Sequence, residues 1–184
     1  MTTSLLRHDR RIVAIQLVQR GLRTTPVRLL TCLPDSEIRT LYRNIHGKSP
    51  PSGDAPSSAS LFPTRRAQTQ VSLFASIYRR IGGPGVLKNV NANALIKSYD
   101  LFRELTIPRI RAAKGQLDFT GAWVIARDLR SGSAILNHCR DCRVNYLVAE
   151  NSDLPPTCPY CALRKERKRM RPRQSKNVGS RAST

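Results

Sequence analysis

The sequence has two Cys-x-x-Cys pairs, C-R-D-C at residues 139–142 and C-P-Y-C at residues 158–161, separated by residues 143–157. Each pair can wrap one turn of backbone around a metal ion, and the loop between them lets the second pair complete a tetrahedron. A single pair would also suit a thioredoxin-like redox site, but the strand-to-helix unit of such a site is not evident. The two pairs therefore predict one structural Zn²⁺ per chain, bound by Cys139, Cys142, Cys158 and Cys161.

The predicted metal site does not suit catalysis, because four thiolates leave no open coordination position on the ion. His138 precedes the first pair and could replace a cysteine ligand, although a histidine there is more often exposed or hydrogen-bonded. A zinc deaminase would need a His-x-Glu before its Cys-x-x-Cys, which is not found. Gly82-Gly83-Pro84-Gly85 lacks the Lys-Ser/Thr of a phosphate-binding loop. We therefore expect a protein that is not an enzyme.

The chain of 184 residues is strongly basic, with 32 Lys and Arg against 12 Asp and Glu and a formal charge of +20. This charge attracts phosphate polyanions, so nucleic acid is the leading partner, ahead of an acidic protein or a membrane surface. Charged residues interrupt the first segment, and the apolar run Ile12–Val18 is too short to span a bilayer, so neither a signal peptide nor membrane contact is expected. A reducing cytoplasm is predicted, where cysteine pairs usually bind metal. The fifth cysteine, Cys32, lies among leucines and is expected to be buried.

Residues 1–48 are predicted to form an N-terminal part of three short helices. An apolar run marks the first, Thr25-Pro26 should begin the second, and apolar residues at i, i+3, i+4 and i+7 from Ile38 mark the third, which Gly47 ends. The tight turn before the third helix is typical of a helix-turn-helix, although any solvated helix face looks similar. The candidate DNA contacts of this part are Arg39, Arg43 and Lys48, with Thr40 and Asn44 on the same face.

A Pro- and Ser-rich arm is predicted at residues 49–63, followed by a helical body at residues 64–132. Apolar residues at helical spacing indicate body helices over residues 65–81, after Asn91 and after Asp118. Trp123 lies within the last apolar stripe and is expected to be core. The predicted fold class is therefore mainly α, a multi-helix body with a helix-turn-helix-like N-terminal part and a small C-terminal four-cysteine zinc-ribbon-like module.

The predicted zinc ribbon covers residues 133–163, in which Val144, Tyr146 and Val148 alternate as in a strand. So short a module cannot bury a sufficient core, so the metal is expected to supply its folding energy. The basic tail, residues 164–184, is predicted to be disordered in solution and able to lie along phosphates. Its candidate DNA contacts are Arg164, Lys165, Arg167, Lys168, Arg169 and Arg171.

Four stretches of the chain follow one another in an order that is similar to that of a known protein family. They are I-R-T-L-Y-R-N-I-H-G-K-S-P-P-S-G at residues 38–53, S-L-F at 72–74, A-L-I-K-S-Y-D-L-F at 94–102, and A-W at 122–123 through the cysteine quartet. This order resembles the FlhC family of bacterial flagellar master regulators, which act with a partner called FlhD. The chain departs from the family pattern at Leu61 and Arg65, where relatives carry tryptophans around the end of the arm.

The resemblance implies a transcriptional activator whose zinc is bound by the four cysteines. It further implies a heterohexamer of four FlhD and two FlhC subunits that binds double-stranded promoter DNA of flagellar operons and helps recruit RNA polymerase. The alternative is a zinc-ribbon RNA-binding or ribosome-associated protein, which the basic tail would also suit. Aromatic residues make up only 5% of the chain, which disfavours base stacking mildly, although Tyr146 could stack on one base.

Overall fold

The computed structural model describes residues 3–110 and 117–170 of the chain. Within these ranges the protein is mainly helical and carries one two-stranded antiparallel sheet, which confirms the predicted fold class. None of the helices in the two described ranges is long and apolar enough to cross a membrane. The helices are α1 (Thr3–Gln19), α2 (Thr24–Thr31), α3 (Asp35–His46), α4 (Arg65–Gly82), α5 (Ala92–Ile110), α6 (Phe119–Ser131) and α7 (Pro159–Met170), with 3₁₀ turns at Ala59–Leu61 and Pro84–Leu87 and strands β1 (Ala134–His138) and β2 (Asn145–Ala149).

Helices α1, α2 and α3 pack against one another at the N-terminal end of the molecule. α3 buries Ile38, Leu41 and Tyr42 at the predicted helical spacing, whereas the fourth apolar residue of that pattern, Ile45 in the last turn, is exposed. Gly47 ends the helix in the left-handed conformation at φ 67°. The second helix begins at Thr24, one residue before the predicted cap at Thr25.

The prediction that Cys32 is buried is wrong, because this cysteine is exposed. It ends α2 in the left-handed conformation, at φ 57°, and its backbone N–H donates to the carbonyl of Arg28 at 2.8 Å. The chain turns at this residue, so that its neighbours Thr31 and Leu33 are buried instead. An apolar neighbourhood in sequence therefore did not place this side chain in the core, because the turn directs it outward.

Helix α4 lies at the centre of the body and packs against α5, α6, α7 and β2. Its aromatic residues Phe74 and Tyr78 are fully buried, and Phe74 meets Phe102 of α5 edge-on with 6.0 Å between the ring centres. At the end of α4 the chain needs a glycine, because a Cβ on Gly82 would lie 2.1 Å from a methyl group of Val86. The core of the molecule is thus organised around α4.

The predicted caps of α5 and α6 are present. The Asn91 side chain accepts a hydrogen bond from the N–H of Ala94 at 2.9 Å, and the Asp118 side chain accepts one from Gly121 at 2.7 Å. Trp123 of α6 is buried, as predicted, with the Arg127 guanidinium 5.3 Å from its ring centre.

The C-terminal end of the Pro- and Ser-rich arm is attached to the helical body. Phe62 is buried in the core, and the backbone N–H of Ser58 donates to the buried carboxylate of Asp128 at 3.1 Å. Arg127 donates to the same carboxylate at 2.7 Å, which compensates its charge. Nearer the start of the arm, Arg23 donates to two backbone carbonyls, those of Gly53 and Asp54.

The two strands form a hairpin that connects the body to the C-terminal module. They pair antiparallel, with Ala134 opposite Ala149 and His138 opposite Asn145. Alternate residues of β2 belong to different clusters. Leu147 and Ala149 are part of the main core, whereas Tyr146 and Val148 pack with the cysteines.

Helix α7 corrects the prediction for the first part of the basic tail. Residues 164–170, predicted to be disordered, continue the helix that begins at Pro159 and ends at Met170. Proline is favoured at the first helical position, and the unbranched basic residues that follow have high helix propensity. The rest of the tail, residues 171–184 with the candidate contact Arg171, lies outside the described residues.

Candidate metal centre and basic face

The four cysteines of the quartet lie on two tight turns that face each other. Cys139 and Cys142 occupy the turn between β1 and β2, where the carbonyl of Cys139 accepts a hydrogen bond from the N–H of Arg143 at 2.9 Å. Cys158 and Cys161 flank the start of α7, and the carbonyl of Cys158 accepts from Ala162 at 3.1 Å. The N-terminus of α7, with its partial positive charge, therefore lies beside the thiols.

The four sulfur atoms converge to within 4.8 Å of one another. The shortest separations join the two turns, with 3.7 Å from Cys139 Sγ to Cys161 Sγ and 3.6 Å from Cys142 Sγ to Cys158 Sγ. In a tetrahedral site with zinc–sulfur bonds of about 2.3 Å, sulfur atoms lie about 3.8 Å apart. The arrangement therefore fits a metal ion bound by four thiolates.

Without a cation, the four thiols cannot all ionise at such short distances. Hydrogen bonding from the backbone N–H of Cys142 lowers the pKa of Cys139 to about 7. Hydrogen bonding with Cys142 raises the pKa of Cys161 to about 12, and burial raises the pKa of Cys158. One thiol thus loses its proton more easily than usual and two others less easily, and a bound cation would favour the thiolate forms.

Two tyrosines cover the quartet on the protein side. Tyr146 of β2 is buried, and its hydroxyl donates to the carbonyl of Pro156 at 3.3 Å. The hydroxyl of Tyr160 donates to the carbonyl of Thr69 on α4 at 3.2 Å, and burial, followed by the charges of Cys158 and Cys142, raises the pKa of Tyr160 to about 12. Both rings pack with the cysteines, and each hydroxyl fixes the orientation of its ring by a hydrogen bond to a backbone carbonyl.

His138 lies outside the converging set of sulfur atoms. Its side chain is exposed, and its Nδ1 atom is hydrogen-bonded to the Asn145 side chain at 2.9 Å across the hairpin. The histidine thus closes the end of the β1–β2 ladder.

Helix α7 presents an exposed row of basic side chains directly after the second cysteine pair. A groove of about 460 Å³ lies between α7 and α4, with Tyr160 and Leu163 among its lining residues. Three cations lie along the same groove, Arg164, Arg167 and Lys168. The predicted contacts of this helix are all exposed, namely Arg164, Lys165, Arg167, Lys168 and Arg169.

The structure adds two basic residues that the sequence analysis missed, Arg140 and Arg143. Both are exposed in the turn that carries the first cysteine pair. Arg140 and Lys165 line one groove of about 590 Å³ beside the quartet, so the basic surface extends from α7 to the hairpin turn. Their position inside the motif C-R-D-C-R was the signal that could have identified them.

The N-terminal candidates lie in a different part of the molecule. Arg39, Arg43 and Lys48 are exposed on α3 or just after it. α3 packs against α1 and α2 whereas α7 packs against α4, so the two sets of candidate DNA contacts are held by different groups of helices.

Comparison with known proteins identifies the family. Residues 1–175 match the family model described as flagellar transcriptional activator (FlhC). Relatives named flagellar transcriptional regulator FlhC include one from Cupriavidus necator, 31% identical over 81% of this chain and 72% of the relative. Others are from Cupriavidus metallidurans, 31% identical over 82% of this chain and 69% of the relative, and from Paraburkholderia atlantica, 32% identical over 71% and 58%. The chain therefore belongs to the FlhC family of flagellar transcriptional activators.

Proposed function

We propose that this protein is a DNA-binding subunit of a transcriptional activator, and not an enzyme, that binds double-stranded promoter DNA of flagellar operons in the cytoplasm. Membership of the family supports a regulatory role in flagellar biogenesis. The observation that carries the proposal of DNA binding is the exposed basic helix α7, which begins within the cysteine quartet.

The metal that suits the quartet is zinc, one ion per chain, with Cys139, Cys142, Cys158 and Cys161 as ligands. Four thiolates in a closed tetrahedron are typical of structural zinc sites, and soft sulfur ligands select against the hard cations Mg²⁺ and Ca²⁺. When bound, zinc would compensate the charge of the thiolates and hold the hairpin turn against the start of α7.

A metal at this place would orient the basic helix. Cys158 immediately precedes the helix and Cys161 lies in its first turn, so binding their sulfur atoms restrains the helix axis relative to the hairpin. Arg164, Arg167 and Lys168 then project from a fixed base, where they can contact several phosphates at once. Arg140 extends this surface to the hairpin turn. The metal therefore has a structural role in DNA binding.

Duplex DNA suits this surface better than single-stranded RNA. Recognition of single strands relies on exposed aromatic side chains on which bases stack. Tyr146, which the sequence analysis left as a candidate for stacking, is buried against the cysteines and donates its hydroxyl to Pro156. Trp123 is buried in the core. The basic groups on α7, by contrast, are exposed.

The remaining parts of the proposal rest on the family. The chain would act in a heterohexamer of four FlhD-like subunits and two copies of this protein, and the complex would help recruit RNA polymerase. Arg39, Arg43 and Lys48 on the helix-turn-helix-like N-terminal part, together with Arg171, would make further DNA contacts. An RNA-binding or ribosome-associated role is the competing function.

The test measures binding of the complex with the cognate FlhD-like protein to flagellar promoter DNA, to unrelated DNA and to RNA at matched salt. In one variant, Arg164, Arg167 and Lys168 are replaced by alanine. If each side chain contacts one phosphate, affinity should fall for all DNA sequences alike, and the salt dependence should flatten by about 2.7 in log–log slope.

The matched control removes the same charge elsewhere, by alanine at the exposed residues Arg80, Lys88 and Lys97. We expect the control to bind DNA with nearly the wild-type salt dependence. Equal losses in both variants would show that only the net charge matters. A wild-type preference for RNA over promoter DNA would favour the competing function.

A further inference from the structure

Arg65, the first residue of α4, connects the helical body to the loop that precedes the second cysteine pair. Its guanidinium donates to the carbonyl of Pro155 at 3.0 Å, to the carbonyl of Thr157 at 2.9 Å and to the Thr157 hydroxyl at 2.9 Å. It also donates to the side-chain oxygen of Gln68, one turn along α4, at 2.9 Å. Thr157 is bonded directly to Cys158, so the arginine holds the backbone at the point where the second pair begins.

The same face of α4 holds the hairpin. The buried side chain of Gln68 donates to the carbonyl of Leu147 at 2.9 Å, and the Ser72 hydroxyl accepts the N–H of Leu147 at 2.9 Å. Gln68 therefore touches both β2 and Arg65. Through these contacts one helix fixes the strand that follows the first cysteine pair and the loop that precedes the second.

Such a double attachment bears on metal binding, because the two cysteine pairs are far apart in sequence and must be brought together before they can share an ion. The loop from 150 to 157 has no helix or strand of its own. A ligand pair on a free loop must be ordered when the metal binds, which lowers affinity. Groups that orient metal ligands from outside the coordination sphere typically change affinity about 10- to 100-fold.

We infer that Arg65 is a positioning residue of the metal centre, which holds residues 155–157 so that Cys158 and Cys161 face Cys139 and Cys142 before the metal binds. The inference rests on the proposed zinc site. An arginine suits this position, because a planar guanidinium can donate to two carbonyls and a hydroxyl at once. A lysine carries the same charge but has all its donors on one nitrogen, so it should restore only part of the effect.

The test compares Arg65→Ala and Arg65→Lys with the wild-type complex, and uses Arg66→Ala as the control. Arg66 is the exposed neighbour on the same helix turn, so the control removes the same charge. Zinc dissociation constants are measured by competition with a chromophoric chelator. We expect zinc affinity to fall about 10- to 100-fold in Arg65→Ala, less in Arg65→Lys, and within about 2-fold of the wild type in Arg66→Ala.

A second measurement separates positioning from a general loss of stability. Thermal unfolding of each variant is recorded with zinc and after chelation, and hydrogen exchange is followed in residues 155–161. Positioning predicts faster exchange in this segment and a larger fall in unfolding temperature with zinc than without it. Equal falls with and without zinc, or an unchanged dissociation constant in Arg65→Ala, would overturn the inference alone. A wild-type complex that binds no zinc would overturn the proposed site as well.

Discussion

The helical body and the tip, which is the turn between β1 and β2 together with the start of α7 that faces it, are stabilised in different ways. The body encloses large apolar side chains, among them the fully buried Phe74, Tyr78 and Phe102. The buried residues of the tip cluster are Cys139, Tyr146 and Cys158, without an aliphatic side chain among them. Burial of apolar surface can hold the body together. The tip has too little such surface, so its order must come from other sources, namely its polar contacts with α4 and, if the proposed site is correct, a bound metal ion.

The largest effect is expected from removing a metal ligand. Cys139→Ser or Cys161→Ser should lower the zinc content well below one ion per chain and unfold the tip, because structural zinc contributes about 10–16 kcal/mol of apparent binding free energy in small modules. The helical body should keep most of its far-ultraviolet circular dichroism. Metal analysis and limited proteolysis measure the effect. Normal zinc content together with unchanged protease resistance would show that the order of the tip does not depend on these ligands.

A core substitution should act on the other region. Phe74→Ala removes a fully buried ring and should lower the free energy of unfolding by about 3–5 kcal/mol. Denaturant unfolding measures this loss, and the control Leu105→Ala, at a side chain that is 52% exposed, should stay within about 0.5 kcal/mol. Because the cysteines form a cluster separate from this core, the folded variant should still bind zinc. A variant that folds but loses its zinc would show that the tip depends on the core.

Per unit of pH, the smallest of the three effects is the change in zinc affinity. The raised pKa values of Cys158 and Cys161, the latter about 12, mean that at pH 7.5 these two thiols must lose protons when the metal binds. Each unit of decrease in pH should therefore weaken apparent zinc affinity by about 100-fold or more, or about 2.7 kcal/mol. Below the pKa of Cys139, about 7, the dependence should become steeper.

Chelator competition between pH 6.5 and pH 8 measures this dependence. Unfolding of the metal-free protein over the same range should change much less, because the core of the body is apolar. An affinity that changes by less than about tenfold per pH unit would contradict the release of two protons.

Features encoded within a few residues could be predicted from the sequence. The spacing of the cysteines indicated which four residues come together, and Asn91, Asp118 and Gly47 act at the helix ends where their side chains or conformations predict. Cys32 was misplaced, because its exposure depends on the direction of a turn. The helical start of the basic tail was missed, because composition indicated charge repulsion and the helix nucleus lies in the preceding cysteine pair.

The contacts that attach the tip to the body could not be predicted. Arg65 reaches Thr157 across 92 positions of sequence, and Gln68 reaches Leu147 across 79. In the sequence alone, a glutamine that is buried on an apolar helix face cannot be distinguished from an exposed polar residue, because its partner is not known. Such long-range polar contacts leave no local pattern, because each partner alone is compatible with an exposed position.

The alternation of β2 has a consequence for chain length. Leu147 belongs to the body core and Tyr146 packs with the cysteines, so consecutive residues of one strand face different interiors. Because side chains alternate with a period of two, a shift of the pairing between β1 and β2 by a single residue would direct the tyrosine into the core and the leucine toward the cysteines. The pairing of Ala134 with Ala149 is therefore fixed by two interiors at once, and a residue gained or lost in the turn must be absorbed within the turn.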